Sequence, residues 1–185
     1  MNNLSPVITL ILAGFLVSCS MPTPPPSTPY KPALYAWHDD GGPGSVKVKI
    51  NLSEQRAYYT RGGRPIGWSY VATGTAGHRT PTGRFHISEK VYDKYSNRYG
   101  WIENELGQKV DSDASPGDHV PRGCRYVAAP MPYWMRLTDY GIGMHAGPIP
   151  NPGFPASHGC IRLPRGVAPL VFDSIRLGTP VHIVR

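Results

Sequence analysis

A histidine and a short cysteine motif near the C-terminal end of the chain have the residue types that acyl-transfer chemistry needs. Ser157-His158-Gly159-Cys160 lies in a stretch rich in turn-forming residues, and His145 follows an apolar run upstream of it. A thiol becomes an effective nucleophile when a nearby imidazole, which titrates near neutral pH, takes its proton. Gly159 lets the backbone approach a substrate carbonyl, and backbone N–H groups there can stabilise an oxyanion. The residue types therefore indicate a cysteine–histidine acyl-transfer site.

Other interpretations of the same residues stay open at this point. A lone cysteine is most often a small buried hydrophobe. His145, His158 and Cys160 are all zinc-ligand types, but the set lacks an obvious fourth ligand. In an oxidising compartment Cys124 could pair with Cys160 and block the thiol, and we expect Cys124 to be free instead.

Length and composition limit the class of protein. The chain has 185 residues, which suits one domain with a short appendage. Gly 21 and Pro 21 indicate many turns and few long helices. No apolar run reaches the roughly 18 residues of a membrane span, and three cysteines are too few for a disulfide scaffold. A net charge of +7 favours anionic surroundings such as lipid, nucleic acid or an acidic polymer, without choosing among them.

The N-terminal residues predict export and lipid anchoring. The apolar run 7–17 is too short to span a bilayer but fits a secretory signal. It ends in Leu16-Val17-Ser18-Cys19, which resembles the lipobox of bacterial lipoproteins. That resemblance implies removal of residues 1–18 and lipidation of Cys19, and Ser20 after it would permit sorting to the outer membrane. Residues 2–6 carry no Lys or Arg, a departure from usual export signals.

A tether and a folded domain follow the predicted anchor. Residues 21–32 are proline-rich and favour an extended, semi-rigid spacer. We interpret residues 33–45 as flexible chain, so the tether spans 19–45 and the folded domain spans 46–185. Alternating or β-rich patterns predict strands, and helical spacing over 166–177 predicts a helix. The long polar stretch 89–125 has weak periodicity and predicts an excursion with at most one short helix or hairpin, of a length typical of functional lids. The predicted strands are 46–50, 55–60, 66–73, 83–88, 133–138, 141–145 and 181–184.

In its motifs the domain resembles the L,D-transpeptidase catalytic domain, also called the YkuD domain. That family has an upstream His, a short gap, then Ser/Thr-His-Gly-Cys, one residue, and Arg or Asn; here these are His145 and Ser157 to Arg162. Thr73-Gly74 with 80–85 (TPTGRF) and 131–134 (MPYW) also match. The resemblance covers about residues 46–185 and implies a mainly β fold, a YkuD-like β-sandwich with one or two short helices.

The resemblance also implies roles for individual residues. Cys160 would be the nucleophile and His145 its base, with the Ala146 carbonyl orienting the imidazole. The N–H groups of His158, Gly159 and Cys160 would form the oxyanion hole, and His158 itself would be structural or help polarise the thiol. Two further pairs are expected to contact substrate: Ser157 and Arg162 would shape the pocket, and Tyr133 and Trp134 would line the cleft.

The implied reaction is acyl transfer on peptidoglycan stem peptides, with no metal or organic cofactor. Cys160 would attack the L-centre carbonyl of diaminopimelate, expel the terminal D-Ala and pass the acyl group to an amine. The acceptor would be a second stem, giving a 3→3 cross-link, or an acceptor protein. The expected location is the periplasm or cell envelope, with a membrane anchor at Cys19 and no nucleic-acid partner. Two alternatives remain: an L,D-carboxypeptidase or hydrolase on the same scaffold, and a non-catalytic wall-binding lipoprotein.

Overall fold

The computed structural model describes residues 32–185. The predicted signal peptide 1–18, the lipidation site Cys19 and most of the proline-rich spacer lie outside the described residues. No helix in residues 32–185 has the length and apolar character needed to cross a bilayer.

The described chain is mainly β, as predicted. It contains β1 Tyr35–Trp37, β2 Val46–Asn51, β3 Arg56–Arg61, β4 Arg64–Tyr70, β5 Gly83–His86, β6 Glu89–Val91, β7 Tyr95–Asn104, β8 Lys109–Ala114, β9 Cys124–Pro130, β10 Trp134–Arg136, β11 Gly143–Ala146, β12 Ile161–Leu163, α1 Ala168–Ser174 and β13 Pro180–Val184. The strands form three sheets: a six-stranded sheet in the order β1-β4-β3-β2-β13-β5, a four-stranded sheet β12-β11-β10-β6, and a three-stranded sheet β8-β7-β9.

The six- and four-stranded sheets share one hydrophobic core. Strand β2 shows how the sequence builds one side of this core. Val46, Val48 and Ile50 are buried, while Lys47 and Lys49 between them are exposed. This period of two places one apolar face against the core and one basic face in solvent. The second sheet contributes buried residues to the same core cluster, namely Met135, Met144, Ala146, Ile161 and Leu163. The predicted sandwich is therefore confirmed.

Helix α1 lies inside the predicted range 166–177 and is shorter than it. It buries Ala168 and Val171 and begins with a proline in its first turn, where the missing N–H costs nothing. The Lys90 ammonium donates to the carbonyl oxygens of Phe172, at 2.5 Å, and Ile175, at 2.8 Å. Those bonds satisfy carbonyls that a helix C-terminus leaves without partners. The helix therefore ends against a side chain of β6, in the four-stranded sheet.

The stretch 89–125 differs from its prediction. Instead of one hairpin or short helix it contributes β6, all of β7 and β8, and the start of β9. Strand β8 is exposed along nearly its whole length, so it has no alternation of apolar and polar residues for the sequence to reveal. The three-stranded sheet, residues 95–130, is called the lid sheet below.

The predicted tether 19–45 extends too far into the folded part. Tyr35–Trp37 pair with β4 in antiparallel register, so β1 forms an edge of the main sheet. Trp37 packs edge-on against Tyr59 at a ring distance of 5.3 Å. Asp39 then accepts two hydrogen bonds from the Arg61 guanidinium, at 2.8 and 2.7 Å. A three-residue strand among Pro, Asp and Gly carries too little pattern to be predicted, and its pairing depends on contacts distant in sequence.

Candidate active site

Two neighbouring strands bring the predicted nucleophile and base together. Strands β11 and β12 are parallel, with His145 opposite Arg162. Cys160 immediately precedes β12, so it lies two residues from Arg162 on the same face. His145, Cys160 and Arg162 all line one cavity of about 320 Å³. That volume lies at the lower end of the roughly 300 to 1,000 Å³ typical of small-ligand sites.

The imidazole of His145 is buried and fixed in orientation. Its Nδ1 lies 2.9 Å from the carbonyl oxygen of Ala146, the contact that the resemblance implied. Because a carbonyl only accepts, Nδ1 carries the proton and Nε2 keeps its lone pair. Burial lowers the pKa of His145 to about 4, the Ala146 hydrogen bond opposes that shift, and the Arg162 charge adds to it. The imidazole is therefore neutral near pH 7 and able to accept a proton.

The Cys160 thiol is also held in its neutral form. Its Sγ lies 3.7 Å from the carbonyl oxygen of Gly141 and is partly buried. Burial raises the pKa of Cys160, while a hydrogen bond from the Gly143 backbone and the Arg162 charge act in the opposite direction. A neutral thiol and a neutral imidazole on one face suit general-base catalysis, in which the proton leaves as sulfur attacks.

The motif loop is held by the Thr73–Thr80 segment. Ser157 N donates to Thr73 O and Thr75 N donates to Ser157 O, both at 3.0 Å. The buried Thr80 hydroxyl donates to Gly159 O at 2.6 Å and accepts from the amide of Gly74 at 2.9 Å. These bonds give Thr80 and the backbone of Thr73 to Thr75 a direct part in holding the motif loop.

Glycine is required at both ends of this contact. A Cβ at Gly74 would lie 1.8 Å from the carbonyl oxygen of His78, so a larger residue cannot fit there. Gly159 has φ 114°, in the region that side chains disfavour. The loop conformation that presents Cys160 therefore depends on both positions.

Ser157 stabilises the loop from within. Its hydroxyl donates to Cys160 O at 2.5 Å and accepts from the amide of Gly159 at 3.1 Å. The Gly159 N–H is thus already bonded inside the loop, which corrects the expectation that all three motif amides face an oxyanion. The amides of His158 and Cys160 remain candidates for that role. Ser157 lines the cavity, but both of its hydrogen-bonding functions serve the loop.

His158 contacts the lid sheet. Its ring stacks on Tyr99 with centroids 4.6 Å apart and an interplanar angle of 15°. The edge of His78 lies against it at 4.7 Å. Its Nε2 is 3.4 Å from Asp113 Oδ1 on β8. The motif histidine therefore connects the loop that carries Cys160 to the sheet above the cavity.

Tyr133 and Trp134 were expected to line the substrate cleft, and the structure places neither of them in this cavity. Trp134 is 1% exposed, donates from Nε1 to Glu89 at 2.8 Å, and lies 6.2 Å from the His145 ring. Tyr133 has φ 58° and turns its ring toward Tyr92, with the two hydroxyl oxygens 3.0 Å apart. Two adjacent aromatic residues in a sequence do not by themselves show which of the two rings, if either, faces the substrate cleft.

Several cavity residues come from positions that the sequence analysis did not select. The lid sheet supplies Tyr99, Trp101, Lys109 and Asp113, and Arg165 follows β12. The Lys109 ammonium lies 4.1 Å from the Trp101 ring centroid. The aromatic residues Tyr99 and Trp101 inside the polar stretch 89–125 were the available signal for the lid sheet.

The zinc and disulfide alternatives can be compared with the described residues. Within residues 32–185 no three His, Cys, Asp or Glu side chains are placed to share a metal ion. Cys124 and Cys160 are free thiols in this part of the chain.

Comparisons with known proteins identify a family and a set of structures with the same fold. The family model of the L,D-transpeptidase catalytic domain, YkuD, matches residues 45–183. An L,D-transpeptidase from Mycobacterium smegmatis has TM-score 0.58 and 18% identity, over 76% of this chain and 59% of that chain. L,D-transpeptidase 1 of Mycobacterium tuberculosis has TM-score 0.53 and 20% identity, over 76% and 62%. The Enterococcus faecium enzyme has TM-score 0.53 and 20% identity, over 76% and 50%.

These solved structures share the fold and are longer than the matched region. The chain spans 59% of the M. smegmatis protein and half of the E. faecium one. No curated protein sequence matches the chain.

Proposed function

Because the chain belongs to the L,D-transpeptidase catalytic domain family, we propose that it is a peptidoglycan L,D-transpeptidase that acts through a thioester on Cys160. The observation that carries the proposal is the pairing of a neutral His145 imidazole with the Cys160 thiol in one cavity. The Nδ1–H of that imidazole is used by Ala146, which leaves Nε2 as the proton acceptor.

In the acylation step one proton moves from Cys160 to His145 and then to the leaving D-Ala amine. As Cys160 Sγ attacks the L-centre carbonyl carbon of diaminopimelate, its proton moves to His145 Nε2. The amides of His158 and Cys160 stabilise the oxyanion. The tetrahedral intermediate then collapses, the bond to the terminal D-Ala breaks, and the His145 proton leaves with the D-Ala amine.

Deacylation reverses the proton path. An acceptor amine attacks the thioester carbonyl, His145 takes the amine proton, and the thiolate leaves and is reprotonated. A diaminopimelate side-chain amine gives a 3→3 cross-link, and a lysine of an acceptor protein gives a wall-attached protein. Water as the acceptor gives the carboxypeptidase reaction.

The envelope location and the lipid anchor are part of the same proposal. The apolar run 7–17 followed by Ser18 and Cys19 supports lipidation of Cys19, and the proline-rich spacer after it supports a domain held away from a membrane. Cell-wall substrates lie outside the cytoplasmic membrane, where an exported and lipid-anchored domain would meet them. Metabolic labelling with a clickable fatty acid should label the chain, and Cys19→Ser should lose the label.

The function is tested by product analysis. The purified chain is incubated with a disaccharide–tetrapeptide, and products are resolved by chromatography and mass. We expect a cross-linked dimer that has lost one D-Ala, and none with Cys160→Ala. Tripeptide without dimer would favour the carboxypeptidase. Binding without any product that depends on Cys160 would favour the wall-binding lipoprotein.

A further inference from the structure

The cavity that contains Cys160 carries an unbalanced positive charge. Within the described residues, Lys109, Arg162 and Arg165 line it as cations, and Asp113 is its one carboxylate. Asp113 Oδ1 lies 3.4 Å from His158 Nε2, so this carboxylate already lies beside the motif histidine and not beside one of the three cations. None of the three cations forms a salt bridge with a carboxylate of residues 32–185.

The acidic residue opposite Lys109 in the register of β7 and β8 is bonded to other groups. Glu103 on β7 accepts from Arg125 at 2.7 Å and from the Trp101 indole at 2.7 Å, so both its oxygens are used. The Lys109 ammonium instead lies over the Trp101 ring, 4.1 Å from its centroid. A cation–π contact fixes the ammonium at the cavity wall and leaves its N–H donors available.

Arg165 supplies a second such donor from a different element. It follows β12 and is exposed, whereas Arg162 lies opposite His145 and acts on the pKa of both reacting groups. Lys109 comes from the lid sheet and Arg165 from the chain after the motif. Two unpaired cations from separate elements that face one cavity are suited to holding a carboxylate, which a guanidinium binds through paired hydrogen bonds.

The donor of the proposed reaction carries such a carboxylate. Diaminopimelate has two carboxyl groups, and the one at its L-centre is the acyl group that Cys160 attacks. The other, at the D-centre, stays ionised at the far end of the same side chain. We propose that Lys109 and Arg165 bind this D-centre carboxylate and thereby select donors in which it is free over donors in which it is amidated. The inference rests on the proposed function for the identity of the donor.

The test measures binding in the absence of chemistry. Cys160→Ala protein is titrated by calorimetry with two tetrapeptides that differ only at the D-centre, one with a carboxylate and one with a carboxamide. We expect the carboxylate form to bind about five- to tenfold more tightly, as two partly exposed ion pairs would give. Adding Lys109→Gln and Arg165→Gln should remove that preference and leave the affinity for the amidated peptide unchanged. The preference should also shrink as salt is raised.

Matched variants separate charge from folding. Arg165→Lys keeps a cation and should retain part of the preference, and Lys49→Gln, on the exposed face of β2, should leave it intact. An equal affinity for the two peptides before mutation, or a preference that survives the double substitution, would overturn the inference. Formation of a Cys160 adduct, followed by mass in protein that retains the thiol, tests the proposed function separately.

Discussion

His145 lies directly opposite Arg162 in the parallel register of β11 and β12. A guanidinium beside an imidazole disfavours the imidazolium, and beside a thiol it favours the thiolate. Arg162 accordingly lowers the pKa of both His145 and Cys160, while burial lowers the first and raises the second. One arginine thus influences both partners of the proposed proton transfer, and the pH profile of the reaction should reveal it.

The first prediction concerns the acid side of that profile. Since the pKa of His145 is lowered to about 4, the neutral imidazole is the main form at all pH values above that. The acylation rate should therefore fall only as pH drops through about 4, below the ordinary histidine value of about 6.5. Arg162→Gln should move this limb to higher pH, and Arg162→Lys should keep it low. The measurement is the initial acylation rate between about pH 3 and pH 7, with circular dichroism to confirm that the protein stays folded. A wild-type rate that falls near the ordinary histidine pKa would contradict the prediction.

Thr80 should be essential to the motif loop. Its hydroxyl joins Gly159 O to the amide of Gly74, and the residue is buried. Thr80→Val keeps the shape but leaves both groups without that partner, at a cost of about 1–3 kcal/mol each when water cannot reach them. We expect a lower denaturation midpoint and slower Cys160 acylation. Thr80→Ser retains the hydroxyl and should behave close to wild type, and equal losses in the two variants would rule out this role for the hydrogen bonds.

The segment before β2 should contribute to stability in a pH-dependent way. Arg61 holds the pKa of Asp39 at about 2, below its unfolded value of about 3.8. A depressed pKa gives stability that is complete above the unfolded value and is lost as pH falls toward the folded value. Asp39→Asn should therefore reduce the free energy of unfolding by on the order of 1–2 kcal/mol at pH 7, and by less near pH 2.

Asp40 provides the matched control for that measurement. It lies 3.6 Å from Arg64 with both side chains more than half exposed. Exposed pairs contribute little. Asp40→Asn should leave the free energy of unfolding in urea unchanged at both pH values. A loss equal to that of Asp39→Asn would show that the Asp39–Arg61 pair does not stabilise the fold more than an exposed pair does.

The lid sheet should protect the thioester from water. Tyr99 stacks on His158, and an aromatic pair contributes about 0.5–1.5 kcal/mol. Tyr99→Ala should raise the rate of Cys160 alkylation by iodoacetamide roughly two- to tenfold and increase the tripeptide released by hydrolysis. Tyr99→Phe keeps the stacked ring and should match wild type. Alkylation at one common rate in all three proteins would exclude a protective contact here.

Local pattern was enough to predict the central strands. Strand β2 alternates buried valine or isoleucine with exposed lysine, which any half-buried strand must do. Residue types indicated a cysteine–histidine acyl-transfer site, and the resemblance to the L,D-transpeptidase family assigned His145 and Cys160 as its base and nucleophile. Helix α1 was predicted because Val167, Leu170, Val171, Ser174 and Ile175 recur with helical spacing. Of these, Val167, Val171 and Ile175 are buried, whereas Leu170 is exposed.

The remaining features depend on pairing between distant segments. Strand β1 is held by β4, and β8 is mostly exposed and held by β7, so neither carries a pattern of its own. The side of the sheet taken by Trp134 depends on packing against His145 and Glu89. The bonded state of the Gly159 amide depends on the Ser157 rotamer, which residue type does not specify. The positive cavity likewise needs the lid sheet folded over the motif loop.

In the proposed mechanism Cys160, activated by His145, becomes acylated by a stem peptide. The most direct measurement is the intact mass of the purified chain after rapid mixing with a tetrapeptide donor, with the adduct located by peptide mapping. We expect one adduct on Cys160, with the mass of the donor less D-Ala. It should form about a hundredfold or more slowly in His145→Ala, given what a positioned general base contributes, and be absent in Cys160→Ala. Release of D-Ala by the Cys160→Ala variant at the wild-type rate, or an adduct on another residue, would contradict it.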